Sequence, residues 1–244
     1  MEHDLSLEGF LNSGFLKQEN ITGIYSKEKL FSRKNDVFKI EVGSCSGIKQ
    51  YVLKQYRGES RHSRIKNELY FYKLLGNNGL KAPNIYYTGE DMVIMEFMGT
   101  RMLLDYIIQE ENSVRDENIS KHGDYLGQLP SLKGTLNYIY DFNKKLKVLT
   151  GKSYVLNDMN HRNFLLPKGA VCRVDFEDCR EGAVEEDMGK FIAFFLTYDP
   201  AFTAWKRSVS ESIKAYCSNN MDVDTSVIDR EVEKELGRMV QRRK

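Results

Sequence analysis

The residues YVLNDMNHRNFLLPKGAVCRVDFED, 154 to 178, decide how the rest of the chain is read. Phe164–Leu166 and Val171–Val174 are apolar, β-prone runs, and Pro167-Lys168-Gly169 between them is a turn signal. Folded antiparallel, these runs return the chain to its starting point. Asn163, just before the first strand, then lies beside Asp175, just after the second. Asp158, five residues before Asn163, opens onto the same place. An Asp and an Asn side by side are hard oxygen ligands, the kind Mg2+ takes together with substrate phosphates. A further Asp within reach is placed to accept a proton from an attacking hydroxyl. The set suits phosphoryl transfer.

Bulk properties narrow the field. The 244 residues are enough for one large domain or two small lobes. With 36 Lys and Arg against 35 Asp and Glu, net charge points to neither nucleic acid nor an anionic membrane surface. No apolar run reaches the length of a membrane-spanning helix, and MEHDLSLEGF lacks the regions of a signal peptide. Cys45, Cys172, Cys179 and Cys217 lack metal-like spacing and are expected as free thiols in a reducing cytoplasm. The four histidines, at 3, 62, 122 and 161, are dispersed.

Along the chain, residues 1–20 carry apolar spacing for one short helix. An extended stretch opens at Thr22, Val37–Val42 alternates with Phe38, Ile40 and Val42 on one face, and 49–56 reads as a third strand. A helix is expected from Ser60 to Leu75, then strands at Ile85–Thr88 and 92–97. Beyond Leu103 the pattern is mainly helical, over 103–111, 118–129, 136–149, 185–196, 202–217 and 227–241. The expected fold class is α+β. Residues 1–99 form an antiparallel-sheet lobe with one helix and 100–244 a mainly helical lobe.

Two residues of the first part join the candidate set. Period two puts Val52 and Lys54 on one face of a strand, so Lys54 can reach phosphates while Val52 covers an adenine ring. A solvated strand lysine is the alternative. Glu68 sits on the apolar stripe of its helix with Ile65, Leu69, Tyr72 and Leu75. A carboxylate on a packed face needs a partner, and Lys54 is the candidate, unless Glu68 reaches water at the stripe's edge.

Asp158-Met159-Asn160-His161-Arg162-Asn163 and Val174-Asp175-Phe176-Glu177 resemble the catalytic loop and metal motif of the protein-kinase-like superfamily. The match is nearer the branch of aminoglycoside phosphotransferases and choline kinases, where the metal motif often reads D-F-E. The resemblance implies a bilobal fold and a kinase using ATP and Mg2+ to phosphorylate a hydroxyl of a small molecule. Asp158 would be the base, Asn163 and Asp175 the metal ligands, and Lys54 with Glu68 the phosphate-positioning pair. It further implies that Met95 shapes the back of an adenine pocket and that backbone groups of Glu96 and Met98 bond the adenine. Ser32 and Asn35 would lie in the nucleotide-covering loop, and Asp187 would brace the catalytic loop through backbone hydrogen bonds. Helix-dipole compensation alone also accounts for acids at 185–187. The pattern departs from the family at Leu156, where His is usual, and in a covering loop without glycine. These departures motivate one alternative, a catalytically silent nucleotide-binding module; a protein kinase is the other. The acids 177, 178, 181, 185 and 186, with Tyr198 and Trp205, would suit a cationic or polyhydroxy acceptor. The acceptor side is short, so the pocket is either open or completed by a second copy in a homodimer. The expected location is the cytoplasm, without nucleic-acid or membrane partners.

Overall fold

The computed structural model describes residues 14–76, 78–114 and 125–242. The chain divides into two compact units, residues 1–77 with 82–98, and residues 78–81 with 99–244. Of the expected N-terminal helix, only α1 (Phe15–Gln18) falls within the described residues.

The first unit is built on five antiparallel strands, β1 (Ile21–Leu30), β2 (Asn35–Ser44), β3 (Gly47–Tyr56), β4 (Ile85–Thr88) and β5 (Met92–Glu96). Their order in the sheet is β1-β2-β3-β5-β4. Alternation places Phe38, Ile40 and Val42 of β2 on one face. There they pack with Tyr51 and Leu53 of β3, Met92 and Ile94 of β5, and Phe15. Each such side chain contributes roughly 1.5–3 kcal/mol by leaving water. The β2–β3 turn needs a left-handed residue, and Gly47 supplies it at φ 109°. Register sets Lys54 between Val37 on one neighbour and Val93 on the other. Helix α2 (Arg61–Gly76) buries Ile65, Glu68, Phe71, Tyr72 and Leu75. Leu69, expected on that stripe, is only half-buried. Phe71 takes its place because it lies three residues after Glu68 and four before Leu75, on the same line of the helix.

The second unit is mainly helical, with α3 (Leu103–Ser113), α4 (Pro130–Thr150), α5 (Val184–Thr197), α6 (Ala204–Asn220) and α7 (Thr225–Arg242). The helix expected over 118–129 is not what its described end shows. Residues 126–128 form a short 3-10 turn, and 118–124 lie outside the described residues. Helix α4 begins six residues earlier than expected. Pro130 starts it, since a first-turn position needs no N–H. Gly151 closes α4 in the left-handed conformation at φ 76°. Helices α5 and α7 touch at Gly189, where an added Cβ would lie 2.5 Å from the Glu231 Cβ. Four two-residue strands complete this unit: β6 (Tyr154–Val155) pairs with β9 (Arg180–Glu181), and β7 (Phe164–Leu165) with β8 (Cys172–Arg173). None of the four cysteines is in a disulfide. No helix among the described residues is long and apolar enough to cross a membrane.

Candidate active site

The hairpin β7–β8 closes as its sequence requires. Phe164 pairs with Arg173 and Leu165 with Cys172, and the Val174 N–H donates to the Asn163 carbonyl at 2.9 Å. Asn163 and Asp175 therefore flank the open end of one hairpin. The Asn163 Nδ2 donates to Asp158 Oδ2 at 3.0 Å. The Asn160 N–H donates to Asp158 Oδ1 at 3.1 Å. An ionised carboxylate offers about four lone-pair positions, so these two bonds leave room for a substrate hydroxyl. Asp175 has φ 69°, a left-handed conformation that Asp tolerates better than most side chains.

Asp187 holds the loop from behind. It is buried in the first turn of α5. Its Oδ2 accepts from the Leu156 N–H at 2.6 Å and its Oδ1 from the Asn157 N–H at 2.9 Å. One turn on, Lys190 Nζ donates to Asn157 Oδ1 at 2.5 Å, securing a residue that sits at φ 66°. Residue 156 is Leu. The bracing runs through that residue's N–H, and the Leu156 side chain fills the core. The neighbouring acids are also engaged: Glu186 pairs with Arg180 at 2.5 Å and Glu185 accepts from the Asp224 N–H at 3.2 Å.

Burial raises the Asp187 carboxyl to about 6, against the Leu156 and Asn157 N–H groups and the charges of Lys190 and Arg173, which pull it down. Between about pH 6 and pH 4 the folded protein holds a proton that the unfolded chain has released. Stability is therefore gained as pH falls through that window and lost as pH rises through it, with a slope of about 1.4 kcal/mol per pH unit. Asp187→Asn has no such titration. Urea unfolding of the two proteins should show the wild type gaining on the variant from pH 6 to 4, whereas parallel profiles would contradict the assignment.

Further residues hold the loop, among them Tyr198, which was expected as an aromatic wall on the acceptor side. Tyr198 donates to Asn160 Oδ1 at 2.8 Å and accepts from the His161 N–H at 3.2 Å. His161 is fully buried with its ring 4.4 Å from that of Phe191, and burial pushes it down to about 3. Arg173 is fully buried as well, and its Nη2 donates to the carbonyls of both Asp158 and Asp175. The signal was present: period two puts Arg173 on the face of Asp175, within an apolar run.

The remaining candidates belong to the first unit. Lys54 Nζ lies 2.7 Å from Glu68 Oε2, with the two side chains 7% and 1% exposed. The Tyr56 hydroxyl donates to the same carboxylate oxygen, and Lys54 sits 4.9 Å over the Tyr56 ring. Tyr56 is another omission, although it shares the face of Lys54 two residues on. Val52, opposite Met95 on β5, is half-buried. Met95 is buried and its sulfur accepts from the Tyr72 hydroxyl at 3.7 Å. The Glu96 N–H is spent on the Asn84 carbonyl at 2.9 Å, and its side chain on the Asn84 amide at 2.7 Å. Of the two Glu96 backbone groups, the N–H is thus not available to an adenine. Met98 is buried. Ser32 accepts from the Asn35 N–H at 3.3 Å, while the Asn35 side chain is buried and accepts from Arg64 at 2.9 Å. Asn35 therefore anchors the β1–β2 turn to α2.

The acceptor-side expectations change. Glu177 is buried and Glu181 pairs with Lys152. Trp205 is 3% exposed, 5.6 Å from Phe195, and belongs to the core, not to a pocket wall.

No protein-family model and no curated protein matches the chain. Solved structures do. Amicoumacin kinase hAmiN in complex with AMP-PNP, Ca2+ and Ami is similar at 12% identity and TM-score 0.55, over 91% of this chain and 82% of that one. The streptomycin-ATP-APH(2")-IIa ternary complex is similar at 16% identity and TM-score 0.51, over 96% and 86%. Choline kinase from Cryptosporidium parvum Iowa II follows at 14% identity and TM-score 0.50, over 93% and 84%. The chain has the bilobal protein-kinase-like fold, in the form shared by aminoglycoside phosphotransferases and choline kinases.

Proposed function

We propose that the protein is an ATP- and Mg2+-dependent phosphotransferase that moves the γ-phosphate of ATP to a hydroxyl of a small molecule. The observation that supports this best is the bonded set on the β7–β8 hairpin. Asp158 accepts from the Asn163 amide, and the hairpin ladder sets Asn163 beside Asp175. The donor set fits a hard divalent cation. Asn163 spends its NH2 on Asp158, which leaves its amide oxygen to join the Asp175 carboxylate. When bound, Mg2+ neutralises charge developing on the transferred phosphoryl group.

The chain's own residues do the rest. Asp158 orients the acceptor hydroxyl and takes its proton as the new P–O bond forms. Lys54, its ammonium fixed by Glu68 and Tyr56, holds phosphate oxygens by charge. Met95 and Val52 provide apolar surface for the adenine, with the Glu96 carbonyl, the Met98 backbone and the covering-loop residues Ser32 and Asn35 completing the nucleotide's surroundings. Similar structures hold AMP-PNP or ATP, which supports nucleotide use here. Among amino sugars, choline-like compounds and polyhydroxy acceptors, the ion pairs of Glu181 and Glu186 favour the last, because they remove negative charge that would attract a cation.

The test is incubation with γ-labelled Mg-ATP and panels of the three acceptor classes, with products resolved by mass spectrometry. A phosphate monoester on a small hydroxyl compound is expected, formed about 10²- to 10⁴-fold more slowly by Asp158→Asn. Label found only in protein, or ATP left intact with every acceptor class, would overturn the proposal.

A further inference from the structure

Arg173 is 0% exposed, and among the described residues it forms no ion pair. A buried cation without a carboxylate partner is costly, and an apolar side chain of similar volume is often the more stable choice. What the guanidinium does touch is specific. Its Nη2 donates to the Asp158 carbonyl at 2.7 Å and to the Asp175 carbonyl at 3.1 Å, while Nε and Nη1 have no hydrogen-bond partner. Its central carbon lies 4.8 Å from the ring centroid of Phe164, the first residue of the hairpin. Two carbonyls, seventeen residues apart in sequence, converge on one nitrogen. They belong to the residues read above as base and metal ligand. One of those, Asp175, holds a left-handed backbone conformation that persists only where its surroundings enforce it.

We propose that Arg173 is a positioning residue for the reaction, a clamp that fastens the main chain at Asp158 to the main chain at Asp175 and so sets the spacing of their carboxylates. This rests on the phosphotransferase reading. The clamp acts on peptide planes and uses neither carboxylate. Its two unpartnered nitrogens indicate that the carbonyls, not the side chain's own hydrogen-bonding needs, fix its place. Asp187 and Lys190 hold residues 156 and 157 from the other side of the loop, while Arg173 bonds the backbone of the base segment and that of the metal segment through one nitrogen.

The experiment compares wild type, R173M and R173K by calorimetric titration with ATP in EDTA and with Mg-ATP. Wild type is expected to bind Mg-ATP more tightly than free ATP. R173M should bind free ATP as wild type does but lose most of the metal-dependent gain, on the order of tenfold, about 1.4 kcal/mol. R173K, whose single nitrogen can take both carbonyls from a shorter stem, should recover part of it. A folded R173M that keeps the full metal-dependent gain, or that weakens both forms of ATP equally, would overturn the clamp. Amide exchange without nucleotide supplies a second readout. Protection should fall at 157–160 and 174–177 in R173M while α4 and α5 keep theirs, and unchanged protection in those segments would also overturn it. Wild type that binds neither form of ATP would overturn the phosphotransferase reading itself, with the exchange comparison still deciding the clamp.

Discussion

Asp175→Ala should slow phosphoryl transfer by on the order of 10³-fold, comparable to losing a preorganised group that meets transition-state charge. The reasoning begins with the hairpin. The β7–β8 ladder ends at Val174, whose N–H bonds the Asn163 carbonyl, so the next carboxylate in sequence is placed beside the Asn163 amide. Alanine removes the carboxylate and also sits poorly at φ 69°, which costs about 1–2 kcal/mol for a residue without a short polar side chain. Asp175→Asn separates the two effects. Asparagine accepts the left-handed conformation and keeps one oxygen but not the charge. A similar loss in both variants assigns the effect to the carboxylate. Full activity in Asp175→Asn would remove Asp175 from the metal-binding role.

Glu68→Ala should destabilise the first unit by about 3–5 kcal/mol, because it removes the carboxylate that meets the Lys54 ammonium in a packed interior. Lys54 is 7% exposed and the carboxylate it meets 1%. The Tyr56 hydroxyl loses its acceptor in the same change. Replacing both charges, as in Lys54→Met with Glu68→Leu, should cost much less than Glu68→Ala alone, since neither partner is stranded. The two-unit chain need not unfold in one transition, so amide exchange on β3 and β5 is the appropriate readout. A Glu68→Ala protein with unchanged protection there would show that the Lys54–Glu68 pair does not hold this unit together.

The parts of this structure that were legible in the sequence are those set by local periodicity. Strand alternation at Phe38, Ile40 and Val42 located the sheet, and the stripe through Ile65, Glu68 and Tyr72 exposed a carboxylate that needed a partner. Lys54, with its ammonium on the same sheet, is the partner it has. The Asp187 bonds to the 156–157 backbone came from family resemblance, since acids in a helix's first turn are explained equally well by its dipole. The rest depended on contacts that a pattern does not specify. Arg173 and Tyr56 lay on recognised faces, yet nothing local says that a buried guanidinium will satisfy carbonyls from two segments. Glu181 and Glu186 read as free acids because their partners, Lys152 and Arg180, are set by chain reversal at β6–β9 and by the start of α5. The helix expected from Leu136 starts at Pro130, because a first-turn position needs no N–H.

Thermal unfolding with and without Mg-ATP, run side by side on wild type and Asp175→Ala, tests the nucleotide and metal roles together. At a hundred times the dissociation constant, bound Mg-ATP should stabilise the wild type by about 2.7 kcal/mol, and Asp175→Ala should show much less of that gain. No shift in the wild type at saturating Mg-ATP, or an equal shift in both proteins, would contradict the assignment of this hairpin to metal-assisted phosphoryl transfer.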